Sequence, residues 1–241
     1  MSITLVQGHQ SHNHLLAKLT DEQFRPLLPF FDLVEIRLKD VLVRQGDSIE
    51  YVYFPTSGAY SCIVYMEDGS GVEVGTVGNE GFTNIEILLD ATISTETVVC
   101  QIAGTSLRIV ADAFRTMIPD VRALNHILKC SGQAYLAQVS QSVACNRLHS
   151  TDIRFARWLL ITHDRVQGDE FEITQEFLAA MLGVHRPSIS VVAGLFQQAG
   201  MIQYKRGRMK ILDRVGLEDS ACECYAVVRG QFERLLGVPR G

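Results

Sequence analysis

The chain has 241 residues, enough for one large domain or two modest ones with separate cores. Its hydrophobic content of 47% is ordinary for a globular protein, and no stretch is long and apolar enough to suggest a membrane-spanning helix. A net charge of -5 argues against a uniformly basic nucleic-acid-binding chain, yet residues 1–146 carry -7 and residues 147–215 carry +3, so a basic segment sits behind an acidic front half.

The first residues, MSITLVQGHQSHNH, lack the cationic start and apolar run of a secretory signal, which makes the cytoplasm the expected compartment. The six cysteines, Cys62, Cys100, Cys130, Cys145, Cys222 and Cys224, are scattered and are expected to be free thiols rather than bridges.

His14 to Phe31 reads as short helices interrupted by Pro26 and Pro29. From Leu33 to Ala111 short Val, Ile and Tyr runs alternate with turn signals such as Arg44-Gln45-Gly46-Asp47, Pro55-Thr56-Ser57-Gly58 and Gly78-Asn79-Glu80-Gly81. That spacing predicts an antiparallel barrel or jelly roll. Asp120 to His149 reads as one long helix with no charge between Lys129 and Arg147. Leu124, Leu128 and Tyr135 fall near a heptad seam, and a small-residue stripe runs through Ile127, Cys130, Ala134, Ala137, Ala144 and Leu148. A helix apolar on more than one face needs more than one cover, and a second copy of itself is the simplest partner.

His149-Ser150-Thr151-Asp152 offers helix caps, so a second helix starts there and the segment reads as a hinge. Gln167-Gly168-Asp169-Glu170 is expected to be a loop, with Thr174 capping the next helix. Gln175 to Gly194, QEFLAAMLGVHRPSISVVAG, fits a helix-turn-helix with Gly183 at the turn and small Ala179 at the helix crossing. Leu178, Leu182, Val184, Ile189 and Val192 then face inward, and His185, Arg186, Ser190 and Val191 face outward. Ile202-Gln203-Tyr204 and Met209-Lys210-Ile211-Leu212 read as strands flanking the turn Lys205-Arg206-Gly207-Arg208. Such a basic wing suits phosphate contacts that fix register without reading sequence.

These segments together resemble the CRP/FNR superfamily of bacterial transcription regulators, over nearly the whole chain. The stretch Ile173 to Asp213 resembles its DNA-binding module, and FPTSGAYSCIVYMEDGSGVEVGTVGNEGF resembles its cyclic-nucleotide-binding-like barrel. The ending GLEDSACECY is similar to that of a less studied branch. The resemblance implies an α+β chain in three parts. These are a cyclic-nucleotide-binding-like β-barrel or jelly roll over residues 1–118, a long dimerisation helix over 119–149 with Leu124, Leu128 and Tyr135 at its seam, and a winged helix-turn-helix over 150–241. The implied partners are double-stranded DNA, a second copy of the chain and RNA polymerase, with no membrane.

The resemblance is carried residue by residue. Arg186 matches the family arginine that reads guanine, and Arg can bond G O6 and N7 together. The family's usual glutamate is replaced by Pro187 and its second arginine by Val191, which offers only apolar contact, so the family half-site is not assumed. Ser188 and Ser190 are candidates for phosphate or base edges, His185 for a helix cap or a phosphate, and Lys205, Arg206 and Arg208 for phosphates.

The implied effector pocket comprises Gly78, Asn79, Glu80, Gly81, Phe82, Ser94 and Thr95. Ser94 stands where cyclic-AMP binders place the phosphate-pairing arginine, with Glu96 close by, which argues against cyclic AMP. The N-terminal cysteines that hold an iron–sulfur cluster in the oxygen-sensing branch have no counterpart here. No cofactor is expected, no metal site is assigned, and any other effector is unnamed by the sequence. Two rival readings stay open: a redox or metal-responsive regulator using Cys222 and Cys224, and a small-molecule-binding module with weak DNA binding. An enzyme is not expected, because no catalytic triad, paired carboxylates or phosphate-cradling Gly-rich loop stands out.

Overall fold

The structure, a computed structural model, describes residues 3–166 and 168–237. A helix α1 (Ile3–Gln10) leads into two 3-10 turns (Leu16–Lys18 and Leu28–Phe30) around α2 (Asp21–Phe24). The α2 start is a capping box, in which the Thr20 and Gln23 side chains each bond the other's backbone N–H. The interruption expected at Pro26 and Pro29 is present between and within these turns.

Seven strands follow: β1 (Phe31–Ile36), β2 (Val41–Val43), β3 (Tyr51–Pro55), β4 (Ala59–Tyr65), β5 (Gly71–Val77), β6 (Thr97–Ile102) and β7 (Gly104–Val110). They form two antiparallel sheets, ordered β1-β7-β3 and β2-β6-β4-β5. Phe31, Phe54, Phe82 and Phe114 pack in a chain of ring contacts inside this jelly roll. The expected β character of residues 33–111 and the α+β class are both found.

After α3 (Ala111–Met117) and a 3-10 turn (Ile118–Asp120), α4 (Arg122–Leu148) runs 27 residues along the sheets. Its position depends on Gly75 of β5, where an added Cβ would stand 2.6 Å from the Tyr135 ring and 2.9 Å from Gln138 Nε2. Gln138 Nε2 donates to Thr76 O at 3.1 Å, and the Tyr135 hydroxyl donates to Glu96 Oε2 at 2.6 Å.

This geometry corrects one expectation. Leu124 and Leu128 are wholly buried in the chain's own core, and Tyr135 packs on the second sheet, so none of the three is free to line a seam with a partner. Much of the second cover that α4 needs also comes from within the chain. Helix α9 (Glu223–Leu236) returns along α4, and its Val228, Phe232 and Leu236 enter the same core as Leu124, Leu128 and Ala134. What α4 leaves exposed is a different line, 122-126-129-133-136-140-143-147, with apolar Leu136 and Val143 near its middle.

Helix α5 (Thr151–His163) starts after Ser150, and a third sheet follows with order β8-β10-β9. A second expectation is corrected by this sheet. Glu170, expected in a loop, opens strand β8 (Glu170–Glu172), which pairs with β10 (Arg208–Ile211), itself paired with β9 (Ile202–Lys205). Gln167 lies outside the described residues. Helices α6 (Gln175–Leu182), α7 (Arg186–Gln198) and α8 (Arg214–Ser220) complete this part. Its core gathers Phe155, Leu159, Leu178, Ile189 and Leu217, and takes Ile63 and Val99 from the strands of the front part.

Candidate nucleic-acid interface

Thr174 caps α6 by accepting the Phe177 N–H at 3.1 Å, and Gly183 ends it at φ +60°. That left-handed conformation is one a glycine adopts without Cβ strain. The chain then turns through His185 into α7, with a bend of 106° between the two helices. Pro187 sits in the first turn of α7, where a missing N–H costs no helix bond. Leu178, Ala179, Leu182, Ile189 and Val192 are buried between the helices as the motif requires, while Val184 is half-buried.

His185, Arg186, Ser188, Ser190 and Val191 all lie on the exposed face, with Val191 at 65% exposure. His185 precedes the helix, but its side chain makes no capping hydrogen bond. The Ser190 hydroxyl donates to Gln175 Oε1 at 2.9 Å, tying the two helices together.

The wing closes in a two-residue turn, with Arg206 at φ +53° and Gly207 at φ +79°. Positive φ at both central residues matches the twist of a tight hairpin. Lys205, Arg206 and Arg208 are exposed there. Arg208 also stands 3.6 Å from Glu172 on β8, and Lys210 pairs with Glu170 at 2.8 Å. The Tyr204 hydroxyl donates to Ile173 O at 2.9 Å, which fixes the wing to the entry of α6. The N-terminal face of α7 and the cations of the wing are therefore both exposed, with the wing anchored at the entry of the helix pair.

The residues read as an effector pocket take another form. Glu80 is buried and bound to Arg165, just beyond α5, with Nη2 at 2.7 Å and Nε at 3.2 Å from the same Oε1. Arg165 also donates to Ile161 O at 2.8 Å, and Glu80 Oε1 accepts the Gly78 N–H at 3.2 Å. An added Cβ at Gly78 would stand 2.7 Å from Arg165 Cδ, so the glycine makes room for this cation. Asn79 O accepts from the His14 N–H at 2.7 Å, Gly81 O accepts from Asn13, and Phe82 is core. The Ser94 hydroxyl and the Thr95 N–H both donate to Glu86 Oε1 at 3.1 Å, so a carboxylate, not a cation, stands beside Ser94.

Beside this bridge, Trp158 of α5 donates to Glu73 of β5 at 3.0 Å. Burial lifts the Glu73 carboxyl to about 7, against the pull of hydrogen bonds from Ser61 and Trp158 and of the Arg165 and Arg157 charges. Neither Arg165 nor Glu73 was legible as a site residue, because each acquires its role from a partner 85 positions away.

Another grouping emerges near the hinge. Cys222 and Cys224 meet Cys145 at the end of α4 and His149 just past it. The Cys145 thiol is held down chiefly by its hydrogen bond with Cys222, whose own thiol is pushed up by the same contact and by burial. The close pair Cys222 and Cys224 was the half of this grouping that the sequence showed, and the four-residue interval from Cys145 to His149 is the further signal that would have pointed to the rest.

A sheet module joined through one long helix to a helix-turn-helix and basic wing defines a two-part DNA-binding regulator. Residues 33–120 match the cyclic nucleotide-binding domain model, and residues 153–220 match the Crp-like helix-turn-helix domain model. The chain belongs to the CRP/FNR superfamily of transcription regulators.

Solved structures agree in fold. A transcriptional regulator of the CRP/FNR family from Eubacterium rectale is 18% identical, with 87% of this chain and 98% of that one covered and a TM-score of 0.67. FixK2 from Bradyrhizobium japonicum is 12% identical over 80% of this chain and 98% of its own, with a TM-score of 0.68. A CRP-family regulator from Thermus thermophilus is 18% identical over 78% and 96%, with a TM-score of 0.66. No curated protein sequence matches the chain. The family and fold are those of transcription regulators and not of enzymes.

Proposed function

We propose that this regulator acts as a homodimer on near-palindromic DNA. Each α7 enters a major groove, and the two half-sites lie about one helical turn apart. Arg186 reads a base edge, Ser188 and Ser190 support it, Val191 offers apolar contact, and His185, Lys205, Arg206 and Arg208 hold phosphates. Residues 1–118 serve as the sensor, 119–149 as the dimer helix and 150–241 as the DNA-binding part. The dimer contact is the exposed line through Leu136 and Val143. Contact with RNA polymerase is implied by the family.

The observation that carries this reading is the exposure of Arg186 at the start of α7 and of the wing cations, on a 106° helix pair. A cyclic nucleotide held by its phosphate does not suit a pocket in which Glu86 stands beside Ser94 and Thr95, and no other effector is assigned. A ligand acts here only by binding the DNA-competent and incompetent arrangements with different affinity.

The test is selection of duplexes from a random pool by purified protein, followed by affinity measurements at several salt concentrations. A two-fold site is expected. Arg186→Ala should cost about 1–3 kcal/mol and flatten preference at one base per half-site. Lys205→Ala should weaken all sequences alike and lower the salt slope by about 0.9 for each phosphate it no longer neutralises. Selectivity untouched by Arg186→Ala would overturn the assignment of the reading face.

A further inference from the structure

We propose that Cys145, His149, Cys222 and Cys224 form a closed site for one zinc ion, which clamps the hinge between the long helix and the DNA-binding part. The four donor atoms all lie within 4.8 Å of one another. Cys145 Sγ and Cys222 Sγ are 3.6 Å apart, and Cys224 Sγ is 3.6 Å from His149 Nδ1. A tetrahedral zinc with bonds of about 2.3 Å to sulfur and about 2.0–2.1 Å to nitrogen needs S···S near 3.8 Å and S···N near 3.6 Å. The protein already holds those edges of the tetrahedron. Donors this close leave no room for an iron–sulfur cluster, whose ligands stand on different irons.

The surroundings fit the same chemistry. The three cysteines are buried and His149 is largely covered, as in closed structural sites rather than open catalytic ones. His149 turns Nδ1 to the thiols while its Nε2 lies 3.6 Å from the Glu223 carboxylate, the outer partner that orients a metal-bound imidazole. Gln141 Nε2 donates to Cys224 Sγ at 3.1 Å, as a donor to a thiolate would. Three thiolates and a neutral imidazole around Zn²⁺ leave one negative charge, and Arg157, close enough to act on Cys145, offsets it. On binding, each thiol still protonated releases its proton to solvent, with no change of oxidation state.

The location gives the ion its effect. Cys145 lies in the last turn of α4, His149 at its C-terminal cap, and Cys222 and Cys224 at the start of α9. Ile153, in the first turn of α5, packs against the three cysteines, so the cluster touches the helix that leads from the front part toward α6 and α7. Occupancy fixes the angle between the front part and that helix, and loss of the ion releases it.

The experiment uses the full chain purified under reducing, anaerobic conditions. Metal content is measured first, then the protein is stripped with a chelator and titrated with Co²⁺, then Zn²⁺. The expected result is one equivalent per chain, with the intense thiolate-to-Co²⁺ absorption and visible bands of a tetrahedral ion, both abolished by zinc. Cys145→Ser and Cys222→Ser should lose at least about 100-fold in affinity, Glu223→Gln about 10- to 100-fold, and Cys130→Ser nothing. Trp158 emission reports whether each variant is folded, and the wild-type cobalt spectrum stands without any variant. Absence of that spectrum in folded, reduced wild type would overturn the proposal. So would unchanged affinity in Cys145→Ser, or a Cys145–Cys222 disulfide in the anaerobically isolated protein, which would make the pair a redox device instead. The readout is metal, so its failure is separable from failure of the operator reading.

Discussion

Arg165→Met removes the cation that joins the DNA-binding part to the front sheets while keeping an unbranched apolar stem. The side chains of Arg165 and Glu80 are 1% and 3% exposed, and two guanidinium nitrogens converge on Glu80 Oε1. Breaking a buried pair from one side costs about 3–5 kcal/mol, because a desolvated charge is left behind. The missing hydrogen bond to Ile161 O adds about 0.5–1.5 kcal/mol. We therefore expect a loss of about 5 kcal/mol in the stability of the docked arrangement. Glu80→Met combined with Arg165→Met should recover most of it, since apolar replacement of both partners is often close to neutral.

The assay is urea unfolding followed by fluorescence. Trp158 is the single tryptophan of the chain and is bonded to Glu73 across the same junction, so its emission reports docking directly. Helix content by circular dichroism follows the rest of the molecule. The fluorescence transition of Arg165→Met should move to lower urea ahead of the dichroism. A loss below about 1 kcal/mol would refute the reasoning, as would a wild-type contribution that fades with added salt in the way of an exposed pair.

Three further outcomes are expected. The Glu73 carboxyl is raised from its ordinary 4.5 to about 7 in the folded state, so its contribution is whole below 4.5 and is lost as pH rises through about 7. Glu73→Gln should remove that slope, its stability relative to wild type rising between about pH 4.5 and about pH 7 in paired urea melts; a constant difference would refute the shift. Arg206 holds φ +53° without being glycine, so Arg206→Gly should raise stability by about 1 kcal/mol in thermal unfolding while lowering DNA affinity and its salt slope. Leu136→Arg with Val143→Arg changes side chains that are 62% and 64% exposed, so sedimentation should show monomers with little change in thermal stability; persistence of a dimer would move the contact elsewhere.

The helix-turn-helix was legible because its constraints are local. Gly183 must take positive φ, Ala179 must be small, and the buried set from Leu178 to Val192 follows helical spacing within one short window. The wing was legible for the same reason, although its third strand was not. Glu170–Glu172 is short and charged, and only pairing with β10 makes it a strand.

The faces of α4 were beyond the sequence. Periodicity shows how many apolar sides a helix has, but not which neighbour covers each. Here the second sheet takes Tyr135, and Leu124 and Leu128 enter a core that α9 comes back from the chain's end to share. Glu80 met Arg165, and Cys145 and His149 met Cys222 and Cys224, for the same physical reason. A charge or a thiol acquires its chemistry from whatever tertiary packing brings within a few ångströms, at separations of 85 and 77 residues in these cases. Local geometry and turn chemistry were written in the sequence by itself; the docked junction and the four-donor cluster were decided only when the chain closed on itself.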